Sequence, residues 1–409
     1  MFPGLGRIDR LRRLRRLRRP RRFSGPRGPR RLLLRVLPLV LLCGPLAACD
    51  SGSATGSGSR PVSATEREVR QAVAAWSAAP PGALAAIPLE AWSYQVSSVR
   101  AEGVRAFARA ELRYRLTGYD AAPAGSAREV ELARDGGTGG GTWGVVADRP
   151  APGAPPQLWD QGPVTVERGA HSLVLGGEGQ STGALSAIAA EADRAVPAAS
   201  AAWPGPWAGK VVVLVPGSLD AMAALLGRPA GEYRGLGAVT TGRTGGGPAP
   251  ADRVVVNPEG YGQLSAEGRQ VILTHETTHV ATRAATTAKT PLWLSEGFAD
   301  WAAYRGSGRT PAEAAPALAR AVRGGDLPGA LPADGAFAFG GDAEALTRAY
   351  EGSWLACRLI ASRWGEAALV SLYERAGRES LPAAVAATLN TDPAGLTRAW
   401  QQELSRDFR

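Results

Sequence analysis

The chain runs to 409 residues with three cysteines, three histidines and a formal net charge of +10. That length leaves room for more than one domain, and so few cysteines exclude a disulfide-built scaffold. The charge sits at one end: residues 1–48 hold 14 Arg against a single Asp, so the remainder is slightly acidic and a nucleic-acid partner is not expected.

Residues 1–49 read as an export signal. The run Arg12-Arg13-Leu14-Arg15-Arg16-Leu17-Arg18-Arg19 gives a long basic start, and Leu32 to Leu42 form an apolar stretch broken only by Arg35 and Pro38. Taken alone, the Arg-Leu run would also suit a nucleic-acid or membrane arm. The apolar stretch is too short and too interrupted for a permanent membrane-spanning helix. Leu46-Ala47-Ala48-Cys49 follows and resembles a bacterial lipobox. The resemblance implies that Cys49 is lipidated and becomes the new N-terminus. The protein would then be exported and lipid-anchored on the extracytoplasmic face of the cell membrane. Cys43 leaves with the signal and Cys49 carries lipid, so Cys357 has no partner within the chain; its apolar helical neighbours predict a buried thiol.

Residues 50–63 are a Ser/Gly linker without apolar anchors. Residues 64–150 read as a small α+β domain: Thr65-Glu66-Arg67-Glu68 opens a helix through Val69, Val73 and Trp76. Alternating stretches at Trp92–Ala101, Val104–Leu116, Arg128–Leu132 and Thr142–Ala147 then predict an antiparallel sheet. A helix followed by a curved sheet is similar to cystatin-like and nuclear-transport-factor-like folds. No constellation in this region carries chemistry, and a spacer or docking role is expected. Residues 151–160 are rich in Pro and predict a stiffer linker.

Residues 161–409 hold the rest. Val164–Arg168 and Ser172–Leu175 predict a hairpin with His171 solvated at its turn, Ala184–Val196 a helix, Lys210–Val215 a buried strand and Asp220–Leu226 a further helix. Gly235–Thr240 and Asp252–Pro258 predict two more strands, either of which can pair with an extended peptide. Residues 311–323 and 343–405 are Ala-rich and predict helices, and residues 306–342, with Gly324-Gly325 and Gly340-Gly341, are expected as a mobile loop rimming the site. The fold class is therefore α+β, with a mixed sheet and a helical C-terminal half.

The chemistry is concentrated in Thr274-His275-Glu276-Thr277-Thr278-His279-Val280 and in Pro291-Leu292-Trp293-Leu294-Ser295-Glu296-Gly297-Phe298-Ala299-Asp300-Trp301. On a helix capped by Ser265, His275 and His279 leave the same face one turn apart, which suits two nitrogen ligands of one tetrahedral zinc. Glu276 lies beside them, where a carboxylate can serve as general base toward an activated water. A catalytic site needs a third protein ligand, and Glu296 on the second helix supplies it. Asp300, four residues on, is placed to accept the free ring N–H of a ligating histidine. Two of only three histidines fall in this motif, which weighs against chance surface placement.

His-Glu-Thr-Thr-His followed by Trp-Leu-Ser-Glu-Gly-Phe-Ala-Asp-Trp resembles the gluzincin metallopeptidases, and most closely their aminopeptidase-type branch. The resemblance implies a zincin fold, a Zn²⁺ cofactor held by His275, His279 and Glu296, and a peptide or protein substrate. Ala349-Tyr350-Glu351-Gly352-Ser353 is similar to the family segment whose tyrosine stabilises the oxyanion, so Tyr350 is the implied donor; no histidine follows His279 to take that role. Gly237-Ala238-Val239 stands where the aminopeptidases carry their glycine-containing motif, but without the glutamate that fixes a free α-amino group. An endopeptidase or a specialised peptidase is expected on that ground. The competing reading is a non-catalytic surface lipoprotein whose N-terminal domain binds a partner. A closed structural zinc site would need a fourth protein ligand, and the sequence offers no obvious one.

Overall fold

The computed structural model describes residues 63–136, 141–242, 244–338 and 342–408. The export signal, Cys49 and all but the last residue of the Ser/Gly linker lie outside the described residues. Helix α1 (Ala64–Trp76) opens on Ser63, whose Oγ accepts the Glu66 N–H at 3.1 Å, and it buries Val69 and Val73. These pack on a four-stranded antiparallel meander of β1 (Leu89–Glu102), β2 (Arg105–Leu116), β3 (Ala124–Arg134) and β4 (Trp143–Pro150). The period of two along β2 decides which face is covered. Ala106, Ala108, Ala110, Leu112, Tyr114 and Leu116 are all buried, while the residues between them turn the other way. Gly103, at φ +63°, allows the two-residue turn that pairs Glu102 with Arg105.

The second sheet has five strands in the order β5 (Thr165–Arg168), β6 (Ser172–Gly176), β7 (Val211–Val215), β9 (Arg253–Val256) and β8 (Ala238–Thr241). Strands β6, β7 and β9 run parallel, and β5 and β8 are antiparallel edges. β7 is buried along its whole length because both faces are covered. On one side lies α2 (Thr182–Ala202), and on the other α3 (Leu219–Leu226) together with Leu116 and Ile87 from the first sheet's region. The sequence ends α2 at Val196, before Pro197, yet the helix continues through that proline. Burial of Ala199, Ala202 and Trp203 offsets the lost hydrogen bond and the ring clash.

The residues from Ser63 onward form one compact unit. Polar contacts tie the first sheet to the second and to the Pro-rich stretch between them. Asp120, from the β2–β3 loop, accepts the N–H groups of Leu116 and Ala251 at 2.7 and 2.8 Å and grips both arms of Arg253 at 2.9 and 3.0 Å. Arg128 of β3, only 2% exposed, forks between Asp148 and Asp160 at 2.6–3.0 Å. Tyr114 donates its hydroxyl to Gln157 at 2.8 Å, and Trp159 stacks edge-on against the Tyr114 ring. Gln157, Trp159 and Asp160 belong to the Pro-rich stretch, so that stretch is held against the first sheet at its end.

The helical half comprises α4 (Pro258–Gly262), α5 (Ala266–Thr282), α6 (Leu292–Tyr304), α7 (Pro311–Ala314), α8 (Pro316–Arg323), α9 (Ala343–Trp364), α10 (Glu366–Ala376), α11 (Leu381–Leu389) and α12 (Pro393–Asp407). Phe298, Trp354, Leu355, Ile360, Tyr373, Leu396 and Trp400 are the heart of its core. Cys357 is buried and free, and burial pushes its thiol up. Glu351 reaches from α9 to accept the first N–H groups of α8, Ala317 and Leu318, at 3.2 and 2.5 Å. The helix expected over 311–323 is thus present as α7 and α8, and it ties down that part of the rim. A turn at Asp334–Phe337 also lets Asp334 accept the Leu292 N–H at 2.9 Å, capping α6 from a distance. Among the described residues no helix is long and apolar enough to cross a membrane.

Candidate metal centre

Helix α5 starts at Ser265, whose Oγ accepts the Gly268 N–H at 3.1 Å. Its motif turn is buried, with Thr274, His275, Glu276, Thr277 and Thr278 all nearly inaccessible. Of the buried threonines of this helix, Thr277 leaves its Oγ1 without a partner among the described residues, and two others are satisfied within the helix. Thr278 and Thr282 donate to the carbonyls of Thr274 and Thr278, at 2.8 and 3.0 Å. α6 packs beside α5 and also against α9. That second packing is close: a Cβ on Gly297 would stand 2.3 Å from the Ser353 carbonyl oxygen and 2.9 Å from Cys357 Sγ. Glycine at 297 thus sets how near α6 lies to α9, and Glu296 is its immediate neighbour. Gly297→Ala is expected to cost about 1–3 kcal/mol by overpacking and to lower the metal content, read by denaturant titration and metal analysis. A variant as stable and as metal-rich as the parent would mean that α6 can shift without carrying Glu296 along.

The geometry brings the three expected ligands together. His275 Nε2 and His279 Nε2 are 3.1 Å apart, and Glu296 Oε2 lies 3.3 and 3.4 Å from them. A tetrahedral ion with bonds of about 2.0–2.1 Å needs donors separated by roughly 3.3–3.4 Å, so the observed triangle has the right size. The group of His275, His279 and Glu296 can hold a metal ion. Asp300, 2% exposed, sits 2.9 Å from His275 Nδ1. This is the position expected for the carboxylate that takes the ring N–H and leaves Nε2 as the donor.

The electrostatics favour positive charge at this point. Burial works against a charged His275, but Asp300, Glu296 and Glu276 outweigh it and push the imidazole up to about 10. Burial would raise Glu296, yet the facing His279 and His275 hold its carboxyl well below the usual carboxylate range. Tyr350 stands next to His275, with ring centroids 6.4 Å apart, and Phe337 packs edge-on against it at 5.3 Å. Burial, with the charges of Glu296, Asp300 and Glu276, pushes the Tyr350 phenol well above its ordinary value, so it stays a donor at neutral pH.

Comparison with known protein families finds no matching family model, and comparison with curated proteins finds no relative.

Two parts of the centre escape the sequence. Tyr373 of α10, fully buried, brings its hydroxyl to 2.8 Å from Thr286 Oγ1 and 3.3 Å from both Thr282 Oγ1 and Ser295 Oγ. This cluster ties the end of α5 to the turn of α6 that carries Glu296. The other is Thr240 of β8, whose Oγ1 lies 2.7 Å from Glu276 Oε2. In sequence, Tyr373 is one apolar-spaced aromatic among several and Thr240 one threonine in a short strand. His171, expected as a solvated turn residue, is exposed, with its backbone N–H donated to Asp193.

Proposed function

We propose that the chain is a zinc-dependent peptidase, anchored outside the cytoplasmic membrane through a lipid on Cys49. In this reading residues 161–409 form a gluzincin-type domain, and residues 64–150 a small domain of cystatin-like or nuclear-transport-factor-like build. The observation that carries it is the convergence of two imidazole nitrogens and one carboxylate oxygen within 4.8 Å, with Glu276, Asp300 and Tyr350 around them. Two nitrogens and one oxygen, with no fourth protein ligand among the described residues, match a catalytic rather than a closed zinc site.

Zinc, when bound, supplies Lewis acidity and brings the pKa of a water toward neutrality. The protein's own residues do the rest. Asp300 holds the His275 ring in one tautomer. Glu276 takes the proton of the attacking water and passes it to the leaving amine. Tyr350 donates its O–H to the oxygen on which negative charge develops. β8 is an edge strand against α5, and its free side offers hydrogen bonds to an extended peptide backbone.

Metal analysis and a peptide-library digest of the whole protein, before and after chelation, test the reading. One zinc per chain is expected, with cleavage lost on chelation and restored by added zinc. Zinc without cleavage of any peptide would favour the partner-binding alternative, and absence of zinc would sink the centre itself.

A further inference from the structure

The contact between Thr240 and Glu276 joins an edge strand to the helix that carries the proposed base. Along β8 the side chains alternate. Ala238 and Thr240 face α5, where Ala238 packs with Leu273, while Val239 joins the core on the other side of the sheet. Thr240 thereby points at the one turn of α5 that holds the motif. Its Oγ1 lies 2.7 Å from Glu276 Oε2 and 3.1 Å from the Glu276 carbonyl oxygen. A threonine hydroxyl has one proton, and the shorter contact to the carboxylate takes it. Among the described residues Glu276 Oε1 accepts no hydrogen bond from the protein.

The support behind Thr240 is firm. It pairs with Val254 of β9, and the next pair in register is Thr241 with Arg253. Arg253 is the residue gripped by Asp120 from the first sheet. A carboxylate at the end of a side chain has a broad terminal torsion, and a donor fixed on a braced strand selects one setting of it.

We propose that Thr240 is a positioning residue for Glu276: its hydroxyl holds Oε2 and leaves Oε1 as the oxygen that receives the proton of the attacking water. This rests on the peptidase reading for its catalytic consequence, though not for its geometry.

Thr240→Val, which keeps the shape and removes the hydroxyl, and Thr240→Ser, which keeps the hydroxyl, test it in the whole zinc-loaded protein. The valine variant is expected to keep its zinc, its melting temperature and its KM, while kcat falls about ten- to a hundredfold, the loss expected of one hydrogen bond to a charged group. The serine variant is expected to recover most of that loss. Crystal structures of parent and valine variant give a readout independent of turnover, with Glu276 ordered on Thr240 in the first and displaced in the second. Equal kcat in the valine variant, a serine variant as slow as the valine one, or an unmoved Glu276 side chain would overturn the proposal. A parent that binds zinc and cleaves nothing would count against the peptidase reading instead, and the crystallographic comparison would still decide whether Thr240 positions Glu276.

Discussion

Replacing Glu276 by glutamine is expected to leave fold and zinc content unchanged while lowering kcat on peptides by about two to four orders of magnitude. Glutamine has the same length and volume, and its amide oxygen can still accept the Thr240 hydroxyl that now meets Oε2 at 2.7 Å. It cannot take a proton from water at neutral pH. Neither does it remove a metal donor, because the three convergent atoms belong to His275, His279 and Glu296. Steady-state kinetics on the best library peptide, with metal analysis of the same preparation, would separate the two roles. A variant that cleaves as fast as the parent would remove Glu276 from the mechanism. One that loses zinc as well would show that the carboxylate supports the centre rather than the proton transfer.

The second large effect concerns the joint between the sheets. Asp120→Ala is expected to destabilise the protein by about 3–5 kcal/mol. The Asp120 carboxylate is inaccessible and accepts four hydrogen bonds, two from backbone N–H groups and two from Arg253. Its removal leaves a mostly buried guanidinium without its counter-charge and two N–H groups without acceptors. Because much of the loss is the stranded charge, the double variant Asp120→Ala/Arg253→Met is expected to be more stable than the single one. Urea titrations of parent, single and double variants measure this directly. A single-variant loss below about 1 kcal/mol would mean that water reaches the pair.

The parts of the molecule legible in the sequence were those written in local periods. His275 and His279 share a helix face through spacing alone, and Asp300 follows Glu296 by the same interval. Alternation along Val104–Leu116 marked a strand, and the unbroken apolar run within Lys210–Val215 marked a buried one. What could not be read depends on residues far apart in the chain. Asp120 and Arg253 are separated by 133 positions, and neither stands in a pattern that names the other. Thr240 meets Glu276 only because β8 is an edge that lies against α5. The stretch from 151 to 160 has the composition of a spacer, and its proline content says nothing of the partners that Gln157 and Asp160 find. Pro197 illustrates the opposite case, a strong local stop signal overridden by the burial of the turn that follows it.

The three candidate metal donors, His275, His279 and Glu296, come from α5 and α6, two helices consecutive in the chain. The loop that a cation closes by joining them is short, and closing a short loop costs little chain entropy. Docking of the first sheet, by contrast, waits on contacts between distant residues. In the language of folding order, ion capture is a local event that can precede or follow the slow long-range steps without depending on them. On the metal-centre reading, a chain stripped of its ion is expected to keep the topology needed to take up another. Reloading should proceed at the pace of ion exchange, not at the pace of refolding.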